Sequence, residues 1–337
     1  MNGINNRLLT IIMPVYNHCD NIRRNLENTI PLVIPYKNDV SIYVSDNASS
    51  DGTRELVEKY VRNYPDIVSY HCQQKNITAS PNFNHAVHSV NSEYCYILGD
   101  DDFIFPEFLP TVLSLMNKYP DIGWFHINSI KGICEGKESV LYQNELLPPF
   151  IELYKNGGDL ISHHLYTPSF ISSNVFKRSL WLCGAPQIKE DCNGYVWFSI
   201  LCFGALNYKS AYYSIPLLLA GFPEKAAYIH NWIWYYIQGF GQLFLHLDKQ
   251  IPGIYQRWIK YQQKDNWRQT MMLIGDVVYD KNLYLEREAA ISKHIQNRLM
   301  KSYFHNCIHY YPKWFVKYIS NNFFRLIKLI SIIKRKF

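Results

Sequence analysis

Apolar strand patterns and amphipathic helix patterns alternate along the first 130 residues of the chain. Residues 8–15 form a continuous apolar run, as in a strand that is buried on both faces. Residues 20–30 follow with apolar side chains at helical spacing, and a second strand is predicted at 40–45. Further strands are predicted at 67–72, 94–98 and 122–127, with a helix between each pair. This alternation predicts the α/β class with a doubly wound, mostly parallel, Rossmann-like sheet.

Polar side chains follow three of these strands directly. Tyr16 and Asn17 end the first strand, Asp46 opens a turn-rich loop after the second, and three carboxylates follow the strand at 94–98. The carboxyl ends of parallel strands meet at one edge of an open sheet, and ligands bind there. The sequence therefore predicts a ligand site at that edge.

The carboxylates of Asp100, Asp101 and Asp102 concentrate negative charge at the end of a short apolar strand. Like charges this close repel one another, and a hard divalent cation bound through oxygen ligands relieves the repulsion. Mg²⁺ or Mn²⁺, with a phosphate in the remaining coordination positions, fits such a cluster. A solvated acidic turn without a metal is the alternative for the triplet taken in isolation.

A Gly-Asp-Asp turn like the one at 99–101 also occurs in template-dependent RNA polymerases. The charge distribution of the chain argues against that class of enzyme. Of the 34 Lys and Arg residues, ten lie after Glu288, where there is no Asp or Glu. The preceding 288 residues therefore carry 24 basic and 28 acidic groups. A polymerase needs a basic groove for its template, so we expect no nucleic-acid partner.

Three motifs in this order resemble the family 2 glycosyltransferases of GT-A fold. They are Thr-Ile-Ile-Met-Pro-Val-Tyr-Asn at 10–17, Tyr-Val-Ser-Asp-Asn-Ala-Ser-Ser-Asp-Gly-Thr at 43–53 and Leu-Gly-Asp-Asp-Asp at 98–102. The variant is similar to bacterial enzymes that build surface polysaccharides, including abequosyltransferase-like members. The match covers roughly the first 130 residues and extends more loosely to about 220. We expect a GT-A nucleotide-sugar-binding and catalytic domain at 1–220 and a helical, aromatic-rich region at 221–337.

The resemblance implies a nucleotide site formed by the first two loops. Pro14, Tyr16 and Asp46 would hold the nucleotide base. An ionised Asp46 can accept the N3–H of uracil or thymine, which favours a UDP or dTDP donor, whereas cytosine has no N3–H. The alternatives are that Pro14 and Tyr16 are plain strand-end residues and that Asp46 caps the next helix.

The resemblance also implies roles for the acidic triplet. Asp101 matches the metal-binding carboxylate of the family's DxD-type motif, and the expected metal is Mn²⁺ or Mg²⁺. Asp102 would support the metal site from its edge, and Asp100 would face the ribose or the metal's waters. Gly99 stands where many relatives carry the first Asp of the motif, so the carboxylate that touches the metal directly stays open.

A carboxylate is also expected to act as general base. The family places an Asp in a polar turn before an aromatic helix, and residues 189–194 form such a turn, which makes Asp191 the candidate. Glu190 is its rival, and a helix cap is the alternative for Asp191. The histidines His126, His163, His164 and His230 show no ligand spacing and are expected in packing or at the surface.

Together these features predict a metal-dependent inverting glycosyltransferase. It would move a sugar from a nucleoside-diphosphate donor to a lipid-linked glycan in the synthesis of a bacterial capsule, O-antigen or related surface polysaccharide. Residues 131–158, with several Gly and Pro, are interpreted as a loop-rich insertion on the acceptor side. A non-catalytic, membrane-associated scaffold on the same fold is the alternative function.

The basic excess after Glu288 falls on a predicted amphipathic helix. Between residues 313 and 336, aromatic and aliphatic side chains recur at three- and four-residue intervals, with four basic residues opposite: Lys313, Lys317, Arg325 and Lys328. This mixture suits an anionic membrane surface, so we expect peripheral association with the cytoplasmic face of the inner membrane. A helix docked on the protein's own core is the alternative. The eight Cys residues show no pairing pattern, which also favours the cytoplasm.

Overall fold

The computed structural model describes residues 7–135, 138–142, 150–188, 195–221, 234–264, 281–295, 298–312 and 315. These residues divide into two compact units. The first unit contains the described residues up to 188 together with 196–221, and the second contains residue 195 and those from 234 onward. The first unit is built on a sheet with helices, and the second is helical. The predicted α/β class is confirmed.

A ten-stranded sheet forms the framework of the first unit. Its strands are β1 (Leu9–Val15), β2 (Val40–Asp46), β3 (Val68–Cys72), β4 (Tyr94–Ile97), β5 (Phe103–Ile104), β6 (Ile122–Glu135), β7 (Glu138–Tyr142), β8 (Ile151–Tyr154), β9 (Asn174–Lys177) and β10 (Lys209–Ala220). They follow the order β3-β2-β1-β4-β9-β6-β10-β5, with β7 paired to β6 and β8 paired to β10.

The strands on one side of the sheet run parallel, as the alternation of the sequence predicted. β1 pairs in parallel with both β2 and β4, and β2 pairs in parallel with β3. Beyond β4 the directions are mixed, because β9 lies antiparallel between β4 and β6 while β10 runs parallel to β6. The parallel half is therefore the part that brings the ends of β1, β2 and β4 to a common edge.

The helices of the first unit are α1 (Cys19–Val33), α2 (Thr53–Asn63), α3 (Ala79–Ser89), α4 (Phe108–Lys118), α5 (Gly157–His164), α6 (Arg178–Gly184) and α7 (Val196–Gly204). The helix predicted at 20–30 continues past Pro31 to Val33. Proline leaves the carbonyl four residues earlier without its helical partner. That carbonyl belongs to Glu27, an exposed residue, so water can satisfy it.

The core of the first unit lies between the sheet and its helices. Ile11 and Met13 of β1 and Val44 of β2 have no exposed surface, and they belong to one cluster with Leu26 and Ile30 of α1. Near-continuous burial along β1 and β2 is typical of parallel strands covered on both faces. Burial of each such side chain contributes about 1.5–3 kcal/mol to stability. This core fixes where the two strands end.

Residues 131–158 differ from the predicted loop-rich insertion. β6 continues to Glu135 and forms a hairpin with β7, and β8 pairs with β10. The twelve-residue strand β10 was not predicted at all. It hydrogen-bonds to β5, β6 and β8, and strand preference depends strongly on such neighbours. Its pairing partners, rather than its local pattern, account for its strand conformation.

The second unit is helical, as predicted for the aromatic-rich region. Its elements are a π-helical turn (Trp234–Gly239), α8 (Phe240–Leu247), α9 (Ile254–Lys264), α10 (Lys281–His294) and α11 (Arg298–His309). The ring of Trp258 lies 5.7 Å from that of Phe240 and 5.3 Å from that of Phe244, which forms an aromatic core. Among the described helices, none has both the length and the apolar character required to cross a membrane.

Candidate active site

Loops from three parallel strands lie at the carboxyl edge of the sheet, where β1 is flanked by β2 and β4. The register pairs Val15 with Asp46, so the loop after β1 lies beside the loop after β2. Asn17 joins these two loops. Its N–H donates to Ser49 Oγ at 2.9 Å, and its Oδ1 accepts the N–H of Ser50 at 2.8 Å. The first two motifs therefore form one continuous surface.

Two residues of these loops have left-handed backbone conformations. Asn17 has a φ of 52° and Ala48 has a φ of 65°. Asn tolerates this region, whereas the Cβ of Ala opposes it, and such strain clusters at ligand-binding sites. The side chain of Asn47 holds the second loop, because its Oδ1 accepts the N–H of Ile77 at 2.9 Å. The loop after β2 is thereby fixed in a strained conformation.

Asp46, the predicted base-binding residue, has no exposed surface. Its Oδ1 accepts the N–H of Ser49 at 2.8 Å, and its Oδ2 accepts the hydroxyl of Tyr70 at 2.7 Å. Burial, together with this bond to the carboxylate, raises the pKa of Tyr70. Each carboxylate oxygen keeps a second lone pair. A base could reach that capacity only after Tyr70 or the loop moves.

Asp51, rather than Asp46, binds the first N–H of the next helix, α2. Asp51 Oδ1 accepts the N–H and the hydroxyl of Thr53, the first residue of α2, at 3.2 and 2.6 Å. Its Oδ2 accepts the N–H of Cys19 at 2.9 Å, which joins α2 to the start of α1. Burial opposes ionisation of this carboxyl, but the bonds from Thr53 and Cys19 outweigh it and lower its pKa.

The two other predicted base-binding residues lie at the end of β1. Tyr16 follows the strand with 44% of its surface exposed, and Pro14 is half-buried beside Ser45 of β2. An exposed aromatic ring at a strand end offers a flat apolar surface. Tyr16 is therefore the accessible member of the set Pro14, Tyr16 and Asp46.

Asp100 pairs with a residue that the sequence analysis did not select. Its Oδ2 accepts a hydrogen bond from Nδ1 of His18, which follows the first motif. This bond raises the pKa of His18, although partial burial acts in the opposite direction. The structure thus joins the loop after β1 to the acidic triplet and places the His18 imidazole beside Asp100.

Asp102 is 2% exposed and turned inward. Its Oδ2 accepts the hydroxyl of Ser172 at 2.5 Å, and its Oδ1 accepts the N–H of Gly221 at 2.8 Å. Burial and neighbouring carboxylates raise the pKa of Asp102, and burial and Asp100 raise the pKa of Asp101 in the same direction. The protein therefore holds two crowded carboxyl groups whose ionised forms are disfavoured.

Gly99 stands where the resemblance would place an Asp, and the structure gives a physical reason. A Cβ at this position would lie 2.5 Å from Asp102 Oδ2, so the inward carboxylate fills the space. The backbone of Gly99 is held on both sides. Its N–H donates to Ser172 Oγ at 2.8 Å, and its carbonyl accepts Asn25 Nδ2 at 2.9 Å. At Gly221 a Cβ would lie 2.1 Å from the carbonyl oxygen of Asp101.

The donor set at this edge fits a hard divalent cation. The carboxylates of Asp100 and Asp101 are partly exposed, and oxygen is the donor that Mg²⁺ and Mn²⁺ prefer. Burial and the nearby charge of Asp100 raise the pKa of Asp101, and a cation at this edge would relieve the repulsion between the two carboxylates. Asp102 already accepts two hydrogen bonds from the protein. It is therefore suited to support a metal site from its edge.

The comparisons with known proteins agree with this geometry. A sequence model described as glycosyl transferase family 2 matches residues 10–178, half of the chain. The chain belongs to this family. The abequosyltransferase RfbV of Salmonella typhimurium is 30% identical over 189 residues, which cover 52% of this chain and 54% of RfbV. The family 2 chain thus spans about half the length of this relative.

Solved structures share the fold of this family 2 chain. S. aureus TarS 1-349 in complex with UDP-GlcNAc has a TM-score of 0.58 and 16% identity, covering 89% of this chain and 88% of that one. The mannosyltransferase PcManGT from Pyrobaculum calidifontis, in complex with GDP-Man and Mn²⁺, has a TM-score of 0.54 and 15% identity, covering 89% and 86%. These likenesses confirm the expected GT-A fold.

The candidate general base, Asp191, and its rival, Glu190, lie outside the described residues. The same holds for His230. His126 is buried among aromatic rings, including that of Tyr212 at 5.4 Å, and burial lowers its pKa to about 3. His164 shares a hydrogen bond of 2.9 Å with the hydroxyl of Tyr154. Packing accounts for these two histidines.

The raised pKa of Asp102 gives a testable pH dependence. The native state binds this proton more tightly than the unfolded chain, so its contribution to stability falls as pH rises from about 4 through the raised pKa. The amide of Asp102→Asn resembles the protonated carboxyl but does not titrate. The variant therefore does not lose stability at this position as pH rises. In EDTA, the free energy of unfolding of Asp102→Asn relative to wild type should therefore increase with pH.

Urea unfolding of both proteins between pH 4 and 8, with the metal chelated throughout, measures this difference. Asp66→Asn, at an exposed position of the same unit, is the matched control and should show no such trend. A difference between Asp102→Asn and wild type that stays constant across the range would contradict the buried, protonated state of Asp102.

Proposed function

We propose that this chain is an inverting glycosyltransferase that moves a sugar from a nucleoside-diphosphate donor to a hydroxyl of a glycan. The observation that supports this most is the convergence of the family 2 loops with the carboxylates of Asp100, Asp101 and Asp102 at one sheet edge. Similarity to an abequosyltransferase supports sugar transfer as the reaction class. The scaffold alternative gives no reason for crowding three carboxylates at this edge.

Asp101 would be the protein's direct ligand for Mn²⁺ or Mg²⁺, with Asp102 supporting the site and Asp100 facing the ribose or bound water. The partial exposure of Asp101 and the inward bonds of Asp102 support this division of roles. Mn²⁺ in the complex of PcManGT supports a divalent ion. When bound, the cation supplies positive charge against the leaving diphosphate. His18 is placed to contribute further positive charge beside Asp100.

The donor base would lie against Tyr16 and Pro14, with its N3–H directed to Asp46. This assignment favours UDP or dTDP, and UDP-GlcNAc in the complex of TarS supports a uracil base. Asp46 is buried, and its Oδ2 accepts a hydrogen bond from the Tyr70 hydroxyl. Base binding would therefore displace that hydroxyl. The strained loop at Ala48 is positioned to take part in that movement.

A carboxylate would accept the proton of the acceptor hydroxyl. The oxygen of that hydroxyl would at the same time bond to the anomeric carbon of the donor sugar. The bond from that carbon to the diphosphate breaks on the opposite face, and the diphosphate leaves with the electron pair. We assign the proton to Asp191, with Glu190 as the alternative, on the sequence pattern of the turn before α7. The acceptor would be a lipid-linked glycan of a bacterial capsule, O-antigen or related polysaccharide, reached at the cytoplasmic face of the inner membrane.

The Asp101→Asn variant tests the metal role. Loss of one anionic ligand removes several kcal/mol of transition-state stabilisation, so transfer from the sugar nucleotide should fall by about 10³-fold or more. The assay measures nucleotide release with the acceptor present, and circular dichroism checks the fold. Asp66→Asn is the matched control. Wild-type turnover that is unaffected by excess EDTA would contradict the metal assignment.

The Asp191→Asn variant tests the base. Removing the proton acceptor should lower transfer by about 10²–10⁴-fold. Affinity for the nucleotide, measured by calorimetry with Mn²⁺, should stay near wild type because the proposed base would contact the acceptor hydroxyl rather than the nucleotide. Glu190→Gln is the matched control and should keep transfer. Loss of transfer in Glu190→Gln but not in Asp191→Asn would move the role to Glu190.

The membrane proposal depends on the basic residues after residue 312, all of which lie outside the described part of the chain. A full-length variant with glutamine at Lys313, Lys317, Arg325 and Lys328 should lose binding to anionic liposomes in a flotation assay. Each basic residue near such a surface contributes about 1 kcal/mol. Donor hydrolysis should be retained.

A second fourfold variant provides the matched control for charge. It carries glutamine at four Lys residues elsewhere: Lys59, Lys118, Lys155 and Lys249. This variant should still float with the vesicles. If both variants float equally with the vesicles, the segment does not bind the membrane through its charge, and a helix docked on the protein becomes the better interpretation.

A further inference from the structure

A cluster of three potential metal ligands lies on the last two described helices of the second unit. α10 contributes Glu288, and α11 contributes His305 and His309. The two histidines are four residues apart, so they lie on one face of α11, one turn from each other. Their rings are exposed, whereas Phe304, Cys307 and Ile308 of the same helix are buried. The cluster therefore lies at the outer side of the helix pair.

The three side chains already converge on one point. His305 Nδ1 lies 2.7 Å from Glu288 Oε1, and His309 Nε2 lies 2.7 Å from Glu288 Oε2. One ligand atom from each of the three residues lies within 4.8 Å of the others, and the two imidazole rings are 4.4 Å apart. Two nitrogens and a carboxylate oxygen thus face a common volume between α10 and α11.

The chemistry of this donor set differs from that of the sheet edge. Imidazole nitrogen is a ligand of Zn²⁺, Cu²⁺ and Ni²⁺, whereas the all-oxygen donors at Asp100–Asp102 suit Mg²⁺ and Mn²⁺. Zn²⁺ accepts two His and one carboxylate and completes its tetrahedron with water. Its bonds of about 2.0–2.2 Å require ligand atoms slightly further apart than the present hydrogen bonds, a change that exposed side chains can make.

We propose that Glu288, His305 and His309 form a binding site for one divalent transition-metal ion, of which Zn²⁺ is the best match, and that this ion joins α10 to α11. The site uses none of the residues assigned to sugar transfer. Because the ligands come from two helices, they converge only in the folded unit. Bound Zn²⁺ therefore stabilises the native state, as any ligand of the native state alone does.

Calorimetric titration of the full-length chain with Zn²⁺ tests this site. The protein must carry no polyhistidine tag and must first be stripped with a chelator. Wild type should bind one equivalent of Zn²⁺ that the variant His305→Gln/His309→Gln no longer binds. Glu288→Gln should weaken the same binding. His246→Gln, which changes an exposed histidine of α8, is the matched control and should titrate as wild type.

Asp101→Asn separates this site from the sheet edge, because that variant should keep the equivalent that His305→Gln/His309→Gln loses. Thermal unfolding gives a second readout. Zn²⁺ should raise the midpoint of wild type and of His246→Gln, but not that of the double variant. An unchanged titration in the double variant would overturn the proposal and leave the cluster as two histidines hydrogen-bonded to Glu288.

Should the double variant fail to fold, the absorption of Co²⁺-loaded wild type decides instead. Nitrogen-ligated, four-coordinate Co²⁺ gives intense visible bands, and these should persist in Asp101→Asn. Absence of such bands from both proteins would overturn the proposal.

Discussion

The geometry of the sheet edge depends on the buried carboxylate of Asp102. It accepts the hydroxyl of Ser172 and the N–H of Gly221, and Ser172 Oγ in turn accepts the N–H of Gly99. These bonds connect the end of β4 to the segment before β9 and to the end of β10. Asp102 turns inward, whereas Asp100 and Asp101 stay partly exposed, and His18 of the loop after β1 pairs with Asp100.

The sheet edge contains features that are unfavourable for stability. Burial and neighbouring charge raise the pKa of both Asp101 and Asp102, and Ala48 keeps a left-handed backbone. Such features persist where the surrounding structure over-determines them, and they place charge before a ligand arrives. A cation with a diphosphate would neutralise the charge that this edge concentrates. The same electrostatic feature thus explains the cost and points to the function.

The elements that sequence periodicity could predict are those with local signals. β1, β2 and the helices around them follow from apolar spacing, and the motifs at Tyr16, Asp46 and Asp100 follow strand ends. β10 and the hairpin of β6 and β7 were not predicted, because their strands depend on pairing partners rather than on a local signal. The sequence could not predict the roles of His18, Ser172 and Gly221 for the same reason. Their hydrogen bonds to the acidic triplet join residues that are 82, 70 and 119 positions apart.

The most direct test of the account is whether the edge binds a metal–nucleoside diphosphate. Thermal unfolding of the full-length chain can be followed with UDP, dTDP, GDP or CDP, each in Mn²⁺ and in EDTA. A ligand that binds only the native state raises the midpoint. UDP or dTDP should raise the midpoint in Mn²⁺, and EDTA should remove most of the increase. An increase with GDP or CDP alone, or an equal increase in EDTA, would contradict this prediction.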